Sequence, residues 1–165
     1  MKKLAAVILL LLMLISAGFS QASSKNAKGK RSEKQVINPD GVVKSPSYSQ
    51  AIVVTGGKMV FVSGQVALNA KGELVGSGDL KAQTIQAFEN MKAVLAASGA
   101  TFGDLVKFTF FVKNYDPAQI AVIRSVRDSY LPKGQPPPAS TLVGVQSLFR
   151  DDVLIEIEAI AVVSK

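Results

Sequence analysis

The ten residues LIEIEAIAVV, at positions 154–163, constrain the fold more than any other stretch of this chain. Eight are apolar and two are glutamates, Glu156 and Glu158. Strand side chains alternate between faces. Ile155, Ile157, Ala159, Ala161 and Val163 therefore share one side, and Glu156, Glu158, Ile160 and Val162 the other. The first face suits a dry core. The second carries too much hydrocarbon for open water and too much charge for a dry interior, where an unpaired carboxylate is strongly disfavoured. Two arrangements resolve the conflict. Either another copy of the chain covers this face and leaves a polar pocket along the seam, or the glutamates pair with Lys107 and Lys113 on a sheet that faces solvent.

The rest of the chain supplies partners for that strand. AIVVTGGKMVFVSG (residues 51–64) reads as two β-rich runs around a Gly-Gly turn, which tolerates the positive φ of a hairpin. The turn lacks the longer glycine spacing and the following Ser or Thr of a phosphate loop. LKAQTIQAFENMKAVLAASG (residues 80–99) places Ala82, Ile85, Phe88, Met91 or Lys92, and Leu95 at helical spacing, with Gln83, Gln86, Glu89 and Asn90 on other faces. Asp79 is its N-cap and Gly99 its end. LVKFTFFVKN (residues 105–114) alternates Val106, Phe108, Phe110 and Val112 with Lys107, Thr109, Phe111 and Lys113, the period of a strand. A second helix follows Asp116 as cap and Pro117 in its first turn, with Ile120 and Ile123 on its stripe. After the rigid loop PKGQPPPAS come two strands, TLVGVQSL and the terminal run. The order β-β-α-β-α-β-β predicts a two-layer α+β domain, one sheet with two helices on one face.

With 165 residues the chain is one domain's length. The front end stands apart. A basic Met1-Lys2-Lys3 precedes a run over residues 4–17 that is apolar but for Ser16, and small residues flank Gln21. That pattern is a secretory signal with cleavage near Ala22, and no Cys follows it to receive lipid. The run falls short of the roughly 20 residues of a membrane span, although an uncleaved anchor is the alternative. The expectation is a periplasmic or secreted protein with no span after processing. Residues 23–36 read as a flexible basic linker and 37–165 as the domain. The formal charge of +7 sits mostly on that front end; from Gln35 onward there are 12 basic and 11 acidic residues, a net of +1. This argues against nucleic acid as a partner of the domain.

The chain has neither Cys nor His. Disulfides, thiol nucleophiles, Ser-His-Asp triads and His-based zinc sites are all excluded. Any chemistry rests on carboxylates, hydroxyls, amines and guanidinium groups.

FVSGQVAL, NMKAVLAASGATFGDLVKFTFFVKN, PPPASTLVGV and IEIEAIAVV, in this order and spacing, resemble the RidA (YjgF-type) family over nearly the whole domain. The resemblance implies a chorismate-mutase-like subunit, a homotrimer with small-molecule pockets at the subunit seams, no metal or cofactor, and hydrolysis of enamines and imines derived from amino acids. It implies Glu158 and Tyr48 as catalytic residues, with Gly64, Ser140, Thr141, Leu142 and Arg124 lining the substrate. Deaminating members carry Pro-Ala-Arg-Ser/Thr, whose arginine holds the substrate carboxylate as a bidentate fork. Here the motif is Pro138-Ala139-Ser140-Thr141. The loss of that pair should cost roughly 2–5 kcal/mol of affinity for such substrates. The alternatives are a trimer that binds a small molecule without chemistry and, less favoured, a ribonuclease. For Arg124 and the neighbouring Arg127 the alternative is an exposed helix residue.

Overall fold

The structure, a computed structural model, describes residues 32–164. Residues 1–22, read from the sequence as an export signal, and most of residues 23–36, read as a linker, lie outside the described residues. The elements run β1 (Glu33–Ile37), β2 (Ala51–Thr55), β3 (Lys58–Gln65), α1 (Leu80–Ala97), β4 (Leu105–Lys113), α2 (Ile120–Tyr130), β5 (Ala139–Val145) and β6 (Ile155–Val163). This is the expected α+β order with one strand added at the front. No helix among the described residues is long and apolar enough to cross a membrane.

The main sheet has four strands in the order β3-β6-β4-β5. β6 is antiparallel to both of its neighbours, and β4 and β5 are parallel, joined through α2. The helices pack on one face of this sheet. Ile155, Ile157, Ala159 and Ala161 are buried there, as the alternation of β6 requires. Phe88 of α1 is the centre of the core, with Phe108 edge-on at 5.9 Å and Tyr130 of α2 stacked at 5.0 Å. A register shift between Leu105 and Lys107 resets the alternation of β4, so Leu105 is buried with Phe108 while Val106 is only half-buried.

Three features depart from the sequence reading. The expected hairpin is a turn without a paired ladder: Gly56 and Gly57 have φ of 76° and 85°, but β2 pairs with β1 in a separate two-stranded ribbon. Gly57 lies so close to the end of β6 that a Cβ there would meet Val162 Cγ1 at 2.6 Å and the Val163 carbonyl at 2.8 Å. The glycine pair serves this close passage. Second, β1 begins at Glu33, inside the stretch read as linker. Its first three residues are exposed, so its order comes from backbone pairing with β2 that no hydrophobic pattern announces.

The third departure is the buried stripe of α1, which contains Gln83 and Thr84, while Ile85 is 40% exposed. Gln83 Nε2 donates to the Asp152 carbonyl at 2.8 Å and to Gly76 O at 3.2 Å, and Leu154 N donates to Gln83 Oε1 at 2.8 Å. Thr84 Oγ1 donates to Leu80 O at 2.6 Å. Both side chains are buried because their polar atoms are satisfied. The expected helix signals hold: Asp79 accepts from Ala82 N, and Asp116 with Gln119 forms a reciprocal cap around Pro117.

Candidate functional site

The residues singled out from the sequence fall into two groups on opposite sides of the sheet. Register decides this. Phe108 pairs with Ser140 and Phe110 with Leu142, so Ser140 and Leu142 point to the core side. Thr109 pairs with Thr141 on one flank and with Glu158 on the other, so Thr141 and Glu158 point to the open side. Adjacent strand residues cannot serve one pocket within one subunit, and Ser140 and Thr141 are adjacent.

The first group closes a small cavity of about 150 Å³ under α2, lined by Tyr48, Arg124, Ser140, Leu142 and the core residues Phe110 and Ile123. Its position is set by the segment before β2. Ser49 N donates to Pro138 O at 3.2 Å and Ser49 Oγ donates to Pro137 O at 2.5 Å, which lays Tyr48 beside the start of β5. Arg127 completes the wall. Its Nη1 donates to the Ser47 carbonyl at 2.9 Å, and its Nε and Nη2 donate to Asp128 Oδ1 at 2.8 and 2.6 Å. Arg127 is only 6% exposed, which corrects its reading as an exposed helix residue. Arg124 is exposed at its side of the cavity.

The second group lies on the open face of the sheet, in a depression of about 300 Å³ lined by Phe61, Ser63, Lys107, Thr109, Glu158 and Ile160. Lys107 is half-buried, its ammonium held by the hydroxyl of Thr141. Burial holds its amine below the usual lysine range. Lys113 donates instead to the Asp151 carbonyl at 2.6 Å. Among the described residues neither Glu156 nor Glu158 has an ion-pair partner, so the solvent-facing pairing with Lys107 and Lys113 does not form.

Glu156 is the residue the sequence reading undervalued. Burial, and secondarily the charge of Glu158, raise its carboxyl above the usual carboxylate range. Gly64 belongs to it: a Cβ at position 64 would lie 1.8 Å from Glu156 Oε1. The room left by Gly64 is thus occupied by the Glu156 carboxylate. The signal was present in the sequence, since two glutamates two apart on one strand must share a face and repel. A larger hollow of about 550 Å³ lies between the β1–β2 ribbon and the proline-rich loop, and contains none of the residues singled out as catalytic or substrate-lining.

An α+β subunit with a four-stranded mixed sheet, two helices on one face and polar half-sites on both is the class of protein that fold and site define. Comparison with known proteins places it further. The family model described as endoribonuclease L-PSP matches residues 42–163. The chain belongs to this family, the RidA (YjgF) family. It is 44% identical over 115 residues to a RutC family protein of Pyrococcus horikoshii, covering 69% of this chain and 85% of that one. It is 39% identical over 108 residues to the 2-iminobutanoate/2-iminopropanoate deaminase of Escherichia coli K12, covering 64% and 80%. Among solved structures, a Rid family protein of Yersinia pestis superposes with a TM-score of 0.73 at 41% identity, covering 79% of this chain and 98% of that one.

Proposed function

We propose that this protein is a Rid-type hydrolase of small imines or enamines, working at pockets formed where copies of the chain meet in a homotrimer. The division of the polar residues between two faces carries this reading. One subunit offers Tyr48, Ser140 and Leu142 on its core side and Glu158, Glu156 and Lys107 on its open side. A neighbouring copy laid over the open face would bring the two halves together. That face is built to be covered: Phe61 is 72% exposed, Met59 55% and Val143 38%, beside two unpaired carboxylates.

The chemistry asks little of the protein. A protonated imine is electrophilic, so a placed water suffices as nucleophile. Glu158 orients that water and takes its proton as the C–O bond forms. Glu158 delivers that proton to the carbinolamine nitrogen, and as the C–N bond breaks the hydroxyl returns a proton to the Glu158 carboxylate, so that ammonia leaves with a carbonyl product. Glu156, on the same face of β6, has its carboxyl raised above the usual range by burial and stands beside this exchange. Tyr48 contributes a hydroxyl on the opposite wall.

The test is turnover of 2-iminobutanoate, generated in situ, by the protein lacking residues 1–22, beside E158Q and S140R. Turnover lost in E158Q supports the hydrolase. Turnover absent in wild type and present in S140R would exclude this substrate while keeping the site. Ser140 in place of an arginine also favours a second reading, a trimer that holds a ligand without chemistry. Inactivity of both wild type and S140R on an imine panel, with a small molecule retained through purification, would establish it. RNA cleavage is the weaker reading, because a domain netting +1 offers few phosphate contacts, and any RNA binding should then show a shallow salt dependence. We read residues 1–22 as an export signal; N-terminal sequencing of protein recovered from the periplasm tests this by a new terminus near Ala22.

A further inference from the structure

We infer that Arg124 is the anion anchor of the pocket, so that the carboxylate of the substrate is gripped from the helix wall and not from the strand. This deepens the hydrolase reading and rests on it for the identity of the pocket. The cavity that holds Tyr48, Ser140 and Leu142 is flanked by two cations, both on α2. Arg127 is spent internally: three of its N–H groups go to Ser47 O and Asp128 Oδ1, and it is nearly buried. Arg124 has no carboxylate partner among the described residues, although Asp128 stands one turn away at the usual helical pairing distance. Arg127 has taken that carboxylate. The net result is one uncommitted guanidinium at the mouth of a pocket whose strand side presents the Ser140 hydroxyl as its one polar group, beside Leu142 and Phe110.

The size of the cavity agrees with a small ligand. About 150 Å³ is the volume of roughly five waters, which suits a keto or imino acid of three or four carbons. Its inner walls, Phe110, Ile120, Ile123 and Leu142, accept a short alkyl chain, and the guanidinium supplies a planar fork for a carboxylate. Ser140 then forms a polar wall and is not the specificity determinant. The ligand class is a small monocarboxylate with a short apolar tail.

Binding, not turnover, provides the test, so that the two proposals fail separately. Processed full-length protein is titrated with pyruvate and with its neutral isostere pyruvamide, using NMR shifts or calorimetry, for wild type, R124A, R124K and S140R/R124A. Wild type should prefer pyruvate. R124A should lose about 10- to 100-fold in pyruvate affinity with pyruvamide unchanged, the worth of a charge-assisted contact. R124K should fall between, since an ammonium keeps the charge but not the fork, and S140R/R124A should regain pyruvate binding from the strand side. Because Arg124 is exposed, R124A should melt with wild type. R124A binding pyruvate as wild type does, equal losses for both ligands, or a wild type that binds neither would each overturn the assignment. Wild type that binds pyruvate through Arg124 yet hydrolyses no imine would sink the hydrolase reading and leave this one standing.

Discussion

If copies cover the open face as proposed, replacing Phe61 with aspartate should dissociate the homotrimer and with it abolish ligand binding, while leaving the subunit folded. Phe61 sits on edge strand β3, opposite Ile160 of β6, and is 72% exposed in the lone subunit. A Phe buries roughly 150–200 Å² when covered, so a neighbour would remove about 110–145 Å² from water here. At ~25 cal/mol per Å² this is about 3 kcal/mol per copy, or about 9 kcal/mol across three copies. That is comparable with the ~4–15 kcal/mol that association costs in lost translational and rotational freedom. Removing it, and adding a third carboxylate to a face that already holds Glu156 and Glu158, should shift a micromolar trimer to monomer. Sedimentation velocity over a hundredfold range of concentration reads the mass, and far-UV circular dichroism checks the fold. The exposed position makes the substitution harmless to the core. F61D sedimenting as a trimer indistinguishable from wild type would refute the covered-face argument, because Phe61 would then lie off the seam.

The other predictions concern the subunit itself. Q83L should destabilise by about 2–4 kcal/mol in chemical denaturation, because it leaves the buried Leu154 N–H without its acceptor and the Asp152 carbonyl without its donor. In the dissociated F61D background, E156Q should raise the melting temperature at pH 7. The carboxyl of Glu156 is raised on folding, so what it contributes is present below the unfolded carboxylate range and lost as pH rises through the folded value; the advantage of E156Q should therefore vanish as the pH is lowered below the carboxylate range. Tyr130 donates to Glu89 Oε1 at 2.7 Å, and burial together with that contact pushes its phenol up to about 12. Ultraviolet titration should show a phenolate component near that pH which Y130F removes, and the stability Tyr130 adds should fade between the ordinary tyrosine range and about 12.

Much of the architecture was legible because it rests on local rules. The caps at Asp79 and Asp116, the stop at Gly99 and the period of two in β4 from Phe108 onward and in β6 up to Ala161 act within a few residues, and the structure retains each of them. The failures come from partners distant in sequence. Gln83 is polar and yet fully buried because its hydrogen bonds go to Asp152 and Leu154, about seventy residues on. Glu33 begins a strand because β2 offers a backbone edge. Arg127 is charged and yet buried because Ser47 supplies a carbonyl eighty residues away. None of these leaves a trace in composition or period.

The chain by itself determined that β6 must have one dry face and one acidic face, since alternation is a property of the extended backbone and needs no partner to be known. It also determined, by lacking Cys and His, what kinds of chemistry are open to it. Only the tertiary structure decided that Ser140 and Leu142 face Tyr48 and Arg124, while Thr141 faces Lys107 on the side of Glu158. Strand register fixes which neighbours share a face, and a shift of one residue would have exchanged the two half-sites.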